Sequence, residues 1–271
     1  NVTATNVSIV SGAGAVINAA NSTKNVSAST LRIEADDAVG AAARHLTTAV
    51  TTLTVKSTGT DSAGLFLSED DGVTVDTVTV SVTEFNANAT NTTVEDAAQS
   101  DLVTGNNGAI VLVAGGTVRL VDGSANTDGA GVAGTAVSAD GSGSIRIEAT
   151  AGDVLIDSDV LSATGNLTLR AAQHLVLGAG VDVATASAGT ISLNAVAGAL
   201  TMDGTAAVTA TGSSARLAAE GNVTLGNVTA TNVSIVSGAG AVLNAADSTK
   251  NVRASTLRIE ADDAVGAAAR H

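Results

Sequence analysis

The chain has 271 residues, 45% of them apolar and 1% aromatic, and it contains neither cysteine nor proline. This composition permits a large aliphatic core and excludes disulfide bridges and cysteine-bound metal ions. The formal net charge of −14 argues against nucleic-acid partners, and because no apolar run approaches the ~18 residues of a membrane-spanning helix, we expect no membrane insertion.

Short segments of the form apolar-x-apolar recur from the start of the chain onward. Alternation of this kind predicts strands that bury one face and expose the other. A second, similar segment follows most of them after a short interval, and a weaker third one precedes the next. The leading segments begin at Val7, Leu31, Leu53, Val80, Ile110, Ile145, Leu167, Ile191, Ala215 and Val233.

Small alanine and glycine residues separate the three strands of each group and permit tight corners. Similar strand segments follow one another without the two-residue turns that are typical of hairpins. The pattern therefore favours a coil of stacked parallel strands over a sandwich. Each turn of the coil would hold three short strands. With stacked strands ~4.8 Å apart, the predicted nine or so turns from Val7 to Val233 would span roughly 43 Å.

Two polar stretches interrupt this pattern, at residues 86–104 and 122–142. Insertions into a repetitive coil usually leave it as surface loops and often make its contacts. We therefore expect both stretches to project from the coil and to carry any partner specificity.

The end of the chain repeats its beginning. Residues 227–271 match residues 1–45 at all but three positions, one of which pairs Ile17 with Leu243. Self-similarity of this kind is typical of stacked repeat proteins. The sequence predicts one full unit at 1–226 and the start of a near-identical unit at 227–271. We expect a continuous array whose main partners are further copies of the repeat in the same chain, with Ile17 and Leu243 filling equivalent core positions.

Two stretches in the second half share a cadence of glycine, asparagine and alternating aliphatic residues: Gly165-Asn166-Leu167-Thr168-Leu169, followed by Leu175-Val176-Leu177, and Gly221-Asn222-Val223-Thr224-Leu225. They resemble large filamentous-haemagglutinin-like exoproteins of bacteria. The resemblance implies an all-β, right-handed parallel β-helix (β-solenoid) that is exported to the bacterial cell surface, commonly by two-partner secretion.

Residues suited to catalysis are few. His45 and His271 are copies of one position, and the spacing around His174 suggests no Ser/His/Asp triad. Lysines and arginines are scattered along the chain rather than clustered. We therefore expect that the protein is not an enzyme.

Clustered carboxylates are the only candidates for a metal site. Calcium takes oxygen ligands, which residues 69–72 and 122–129 offer. Neither stretch has the closing glutamate of an EF-hand or the nonapeptide of calcium-binding β-rolls, so solvated turn carboxylates are the default interpretation and no cofactor is expected. The candidate ligands are Asp70, Asp71, Asp122, Asn126 and Asp128.

Charged pairs on one strand, Arg32 with Glu34 and Arg146 with Glu148, are expected to stand outward in solvent. Exposed pairs of this kind add little net stability.

The sequence favours a structural function, as a non-catalytic repeat segment of an extracellular, cell-surface filament. The alternative is an adhesin stalk whose specificity lies in the loops 86–104 and 122–142 or in a separate tip. Two minor alternatives are a Ca²⁺-binding surface protein and an ice-binding solenoid, the latter suggested by Thr209 and Thr211. Lateral association of filaments and glycosylation of the Asn-x-Ser/Thr sequences stay open.

Overall fold

The structure is a computed structural model that describes residues 1–19, 22–59, 64–123, 134–248 and 250–266. Within these ranges the regular secondary structure consists of β-strands alone. Twenty-four strands form one continuous sheet, and two further strands pair only with each other. The predicted all-β fold class is confirmed.

The strands are short and spread evenly along the chain. They are β1 (Val2–Thr3), β2 (Asn6–Ser11), β3 (Val26–Ala35), β4 (Leu46–Ser57), β5 (Leu65–Glu69), β6 (Val73–Val75), β7 (Val78–Phe85), β8 (Asn91–Gln99), β9 (Leu102–Thr104), β10 (Ile110–Ala114), β11 (Val118–Leu120), β12 (Thr135–Ala139), β13 (Ile145–Ala149), β14 (Val154–Ile156), β15 (Asp159–Ser162), β16 (Leu167–Ala171), β17 (Leu175–Leu177), β18 (Asp182–Thr185), β19 (Ile191–Ala195), β20 (Leu200–Met202), β21 (Ala207–Ala219), β22 (Val223–Leu225), β23 (Asn227–Ser237), β24 (Val242–Asn244), β25 (Val252–Arg253) and β26 (Thr256–Ala261).

Strands of the large sheet pair in parallel with their equivalents one turn earlier and one turn later. In the first ladder, β16 pairs with β13 on one side and β19 on the other. In the second, β17 pairs with β14 and β20, and in the third, β18 pairs with β15 and β21. Three ladders therefore run side by side along a coil. This is the predicted parallel β-helix, with three short strands in each turn.

Aliphatic side chains fill the interior because each strand alternates between its two faces. In β16, Leu167 and Leu169 are buried, whereas Thr168 and Arg170 are partly exposed. Parallel pairing stacks equivalent residues of successive turns, so the inward residues form columns along the axis. Burial of each large aliphatic side chain contributes about 1.5–3 kcal/mol. One column of small residues, at the corner after the first ladder, runs through Ala114, Ala149, Ala171, Ala195 and Ala219.

Strands β7 and β8 form an antiparallel hairpin that leaves the coil. The prediction that Val80 begins a turn of the coil is therefore wrong. Alternating valines at 78–82 satisfy the strand pattern equally well in a hairpin, because alternation does not reveal which partner a strand takes. The first ladder instead begins at β5, which pairs with β10 through Leu65 and Ile110.

The two predicted loops include strands of the coil. In the stretch 86–104, Leu102 and Val103 are buried in β9, which pairs with β12. In the stretch 122–142, residues 124–133 lie outside the described residues, and β12 beyond them is a buried strand. The expectation that both stretches project along their whole length is therefore wrong.

At strand β4 the coil changes its frame, by which we mean the set of strands that stack into each ladder. Strand β4 is 12 residues long, and on the side away from β3 it pairs with three different strands. These are β5 at residues 46–48, β6 at 52–53 and β9 at 55–57. The faces of the coil before β4 consequently do not continue straight into the faces after it.

The second copy of the repeated sequence continues the same coil, since β23 pairs with β21 and β26 pairs with β23. Val228, the copy of Val2, lies eight rungs above Ile9, which is one face further round the coil. The next strand is displaced likewise, with Val233 above Val16. A unit therefore climbs eight and a third turns, slightly fewer than the predicted nine. The first of these columns runs through Ile9, Ile33, Val55, Leu102, Val137, Val160, Val183, Val208 and Val228.

The expectation that Ile17 and Leu243 fill the core is wrong. Val16 and Val242, one residue earlier, make the inward parallel contacts. The residue that follows each of them points away, so Ile17 is 69% exposed and Leu243 is half-buried. The exchange of isoleucine for leucine between the copies is therefore a change at the surface.

Candidate functional site

Among the described strands, the hairpin β7–β8 alone leaves the coil, which makes it the first candidate for a functional site. Its base lies against the outer face of the first turns, where β7 contacts β2, β3 and β4. Val78 and Val80 are buried. Each such side chain contributes up to about 3 kcal/mol, so the base of the hairpin is firmly attached to the coil.

Arg32 of β3 lies beneath the hairpin. Its side chain is 7% exposed, and its Nη2 atom lies 2.7 Å from the Glu34 carboxylate. Its Nε atom donates to the Ala97 carbonyl oxygen of β8 at 3.0 Å. The expectation of a solvated pair is wrong here, because the hairpin covers the guanidinium group.

The second predicted pair also departs from the expectation. The side chain of Glu148 is only 10% exposed, and it binds Arg146 as well as Arg170 of the next rung. Both arginine side chains are about half exposed, at 54% and 40%. The carboxylate is therefore shielded by two arginines, which themselves reach into solvent.

Gln99 at the end of β8 ties the hairpin to two rungs. Its Nε2 atom donates to the Ile33 carbonyl oxygen at 3.0 Å and to Thr54 Oγ1 at 3.1 Å. Thr54 Oγ1 donates in turn to the Asp101 carbonyl oxygen at 3.0 Å, which also accepts from the Val55 amide at 3.0 Å. Gln99, Thr54 and Asp101 are buried. A buried polar group left unpaired costs about 1–3 kcal/mol, so this network holds the hairpin in one position.

Glu69 lies beside the beginning of β4, whereas Gln99 and Asp101 lie beside its end. The buried carboxylate of Glu69 accepts hydrogen bonds from Thr48 Oγ1 at 2.6 Å and from the Val50 amide at 3.0 Å. Because β5 ends at Glu69, opposite Thr48, the carboxylate takes the place of a backbone acceptor for Val50. Burial raises the pKa of Glu69 above its usual value, and the hydrogen bonds oppose this rise. The residue has a structural task at the point where one strand pairs with three.

Beyond its base the hairpin exposes apolar side chains. Val82 and Val94 are opposite one another on the two strands and are 56% and 42% exposed. Phe85 is 81% exposed. Because side chains alternate along a strand, Val82 points to the same side as the buried Val80, and Phe85 points to the opposite side.

The hairpin is also acidic. It carries Glu84, Glu95 and Asp96, and its sequence contains no lysine or arginine. At its tip the Asn86 amide donates to the Thr90 carbonyl oxygen at 2.8 Å, which closes the connecting turn. An exposed element with apolar and acidic side chains can bind a surface that offers apolar area and positive charge.

The candidate calcium ligands do not converge on one site. Asp70 forms an ion pair with a lysine, and Asp71 is exposed at a corner. Asp122 accepts a backbone amide hydrogen bond at 3.0 Å, and Asn126 and Asp128 lie outside the described residues. In the ranges that the structure describes, no three potential metal ligands form a group.

The histidines are separate from one another. His174 lies at an exposed corner, where its Nδ1 atom accepts a hydrogen bond from the Ala199 amide at 3.1 Å. His45 is half-buried with its ring centroid 6.1 Å from that of Phe66, and burial lowers the pKa of His45 below 6.5. His271 lies outside the described residues.

An open groove of about 700 Å³ follows the third ladder. One outward residue from each rung lies in it, namely Ser138, Leu161, Ala184 and Thr209. Leu161 and Ala184 interrupt the hydroxyl side chains, so this face has no continuous threonine array. Its lining consists mostly of small side chains, several of them with hydroxyl groups, and Asp140 is its one charged residue.

Sequence reasoning did not find the residues that hold the hairpin. Gln99 and Asp101 fall within a polar stretch that resembles a loop, and Arg32 has the same pattern around it as solvated arginines elsewhere. The available signal is the alternation of valines at 78–82 directly before a long polar stretch.

No protein-family model matches the chain, and no curated protein or solved structure matches it. The resemblance to filamentous-haemagglutinin-like exoproteins stays a prediction that rests on strand cadence. No helix able to cross a membrane occurs in the described ranges. The fold itself defines the class, which is that of the parallel β-helix proteins.

Proposed function

We propose that the chain is a non-catalytic structural segment of an extracellular filament, in which 226-residue units continue one another as a single coil. The observation that carries this proposal is the stacking of the second copy. Strands β23 and β26 extend the coil in register with β21, so a unit of nearly the same sequence lies directly on the unit before it.

The side of β26 that faces away from β23 is suited to further stacking. Leu257 in β26 is 50% exposed, whereas Leu31, its copy within the coil, is fully buried. A further turn laid on β26 would remove this apolar area from water and would pair its free backbone groups. In stacked repeat proteins each turn is stabilised mainly by its neighbours, so continuation of the coil yields a long and stiff rod.

Chain length tests the proposal. Chains of one, two and three units should lengthen by about 40 Å per unit in small-angle scattering, since eight and a third turns rise ~4.8 Å each. Ile235→Asp at the junction, which buries a charge, should interrupt the rod, whereas Ser234→Asp on the outer face of the same strand should leave its length unchanged. Units that scatter as separate particles on a flexible string would contradict the proposal.

The extracellular location is supported by the resemblance to filamentous-haemagglutinin-like exoproteins. Labelling of intact cells of the source organism with an antibody against the chain tests it. Signal that appears only after the cells are broken would contradict a surface location.

A second function, that of an adhesin stalk, is favoured by the exposure of Phe85 on the outer side of the hairpin. Replacing residues 81–95 by a short turn removes this display and leaves β9 in the coil. Filaments that keep their length but lose attachment to a target surface would favour the adhesin, whereas unchanged attachment would exclude the hairpin tip as its site.

A further inference from the structure

We propose that the hairpin β7–β8 of each unit extends back across the junction and docks on the outer face of the preceding unit. Val82, Val94 and Glu84, which lie on one side of the hairpin, would make the contact. This inference rests on the proposed function, because it requires two consecutive units in one coil.

The direction of the hairpin is read from its contacts. At its base, the Asp101 carbonyl oxygen binds β4, whereas further along β8 the Ala97 carbonyl oxygen binds Arg32 of β3. The hairpin also reaches β2, where β7 makes contacts and where the Ser8 Oγ atom is buried. The hairpin therefore runs against the order of the rungs, towards the beginning of its own unit.

The second copy of the repeated sequence shows which residues precede the beginning of a unit along the coil. Ser234 is the copy of Ser8, and it pairs with Arg216 on the rung before it. The rung before that one presents Ser192. From Val82 to the end of β7 at Phe85 the strand covers roughly 10 Å, or about two rungs, so the exposed part of the hairpin is long enough to reach these residues.

The surface in that position complements the hairpin. Arg216 is exposed, and the side chains of Arg170 and Arg146 further along the same ladder are 40% and 54% exposed. Of the hairpin's carboxylates, Glu84 lies on the same side as Val82 and nearer the tip, so it would face these arginines, whereas Glu95 points to the outer side with Phe85. Ser192 and Asn194, both partly exposed, lie between the arginines and offer a low surface against which Val82 and Val94 can pack.

The chain contains both a covered and an uncovered example of the start of this face. Arg32 lies under the hairpin with 7% of its side chain exposed, whereas its copy Arg258 is 61% exposed. Each arginine binds the glutamate two residues further on, so the local structure is the same. The face on β23 and β26 is thus where the base of the second unit's own hairpin would lie, from which the hairpin would extend onto the first unit with Phe85 on the outer side.

Cysteine cross-linking tests this docking, because the chain has no cysteine of its own. Two units are joined in tandem, with Val82→Cys in the second unit and either Ser192→Cys or Asn194→Cys, both at partly exposed positions, in the first. A short bismaleimide should link at least one pair within the chain, seen as a shifted band on a denaturing gel. Thr201→Cys, exposed on the second ladder, replaces the receiving cysteine in the control and should give no link.

The scattering length of the same tandem chain separates the two proposals. A chain lengthened by about 40 Å that gives no cross-link from either position would overturn the docking of the hairpin and leave the filament standing. A chain that is not lengthened would overturn both.

A charge reversal provides a second measurement. Arg216→Glu in the first unit should slow cross-linking roughly two- to fivefold, as expected for exposed charge pairs, whereas Arg216→Lys should leave the rate nearly unchanged. Equal rates for both variants would show that the arginine takes no part in the contact.

Discussion

The two copies of the repeated sequence, residues 1–45 and 227–271, have the same strands but different surroundings. In the first copy, Leu31 is fully buried between two rungs and Arg32 is covered by the hairpin. In the second, the equivalent Leu257 and Arg258 are 50% and 61% exposed, by residue and by side chain respectively. Burial of a residue in this coil therefore depends on the segments that come later in the chain and fold over it.

This difference also separates two kinds of cover. Leu31 is buried by the next turn of the coil, which any later rung of similar shape supplies. Arg32 is buried by a hairpin that leaves the coil at one place in the unit and returns to earlier rungs. Cover by the next turn lengthens the coil, whereas cover by the hairpin makes one outer face of the coil different from the other two.

The largest expected effect lies at the leucine pair. Leu31→Ala should lower the free energy of unfolding by about 2–5 kcal/mol, because it leaves a cavity in a fully enclosed site. Leu257→Ala should cost about 1 kcal/mol, since half of its surface is already in water. Urea titration followed by circular dichroism measures both. Equal losses would show that Leu257 is covered as Leu31 is, for instance by a second molecule.

The arginine pair should give a smaller difference. Arg32→Ala leaves the Ala97 carbonyl oxygen without its donor and should cost about 1–3 kcal/mol, whereas Arg258→Ala should change stability by less than about 0.5 kcal/mol. Amide hydrogen exchange over residues 78–99 should quicken in the first variant alone. Unchanged exchange there would mean that Arg32 does not hold the hairpin.

The smallest effect concerns His45, the counterpart of His271. Burial lowers the pKa of His45, so the folded state binds fewer protons than the unfolded chain near pH 6.5. Its contribution to stability is present above the unfolded pKa and is lost as the pH falls through the folded pKa. NMR titration, with the resonance assigned through His45→Asn, should show a lowered pKa for His45, and Phe66→Ala should move that pKa upward. A His45 titration unaffected by Phe66→Ala would assign the burial to other neighbours.

The regular part of the fold could be predicted from the sequence because one rule governs it. In strands such as β13, β16 and β19, alternate residues enter a shared core, so Ile145, Leu167 and Ile191 fall into one column. Local alternation and the long-range arrangement agree there, which is the condition under which pattern reasoning succeeds.

The exceptions depend on pairing between distant segments. The sequence of residues 46–57 has no feature that predicts pairing of β4 with three later strands. The valines of the hairpin alternate in the same way as valines of the coil. Ile17 shows a phase error, because the pattern Ala15-Val16-Ile17 admits either phase and the structure buries Val16. The candidate site was missed for a similar reason, since Gln99 and Arg32 become a buried network only when the hairpin folds back.

The change of frame at β4 sets the outline of any long filament. Since each unit ends one face further round the coil than it began, successive hairpins would be rotated by about 120° and raised by about 40 Å, before the twist of the coil itself is added. The hairpins would then trace a screw thread that returns to the same azimuth after every third unit, about 120 Å along the axis. A rod made of identical units would in this way present its protrusions in three directions instead of along a single edge.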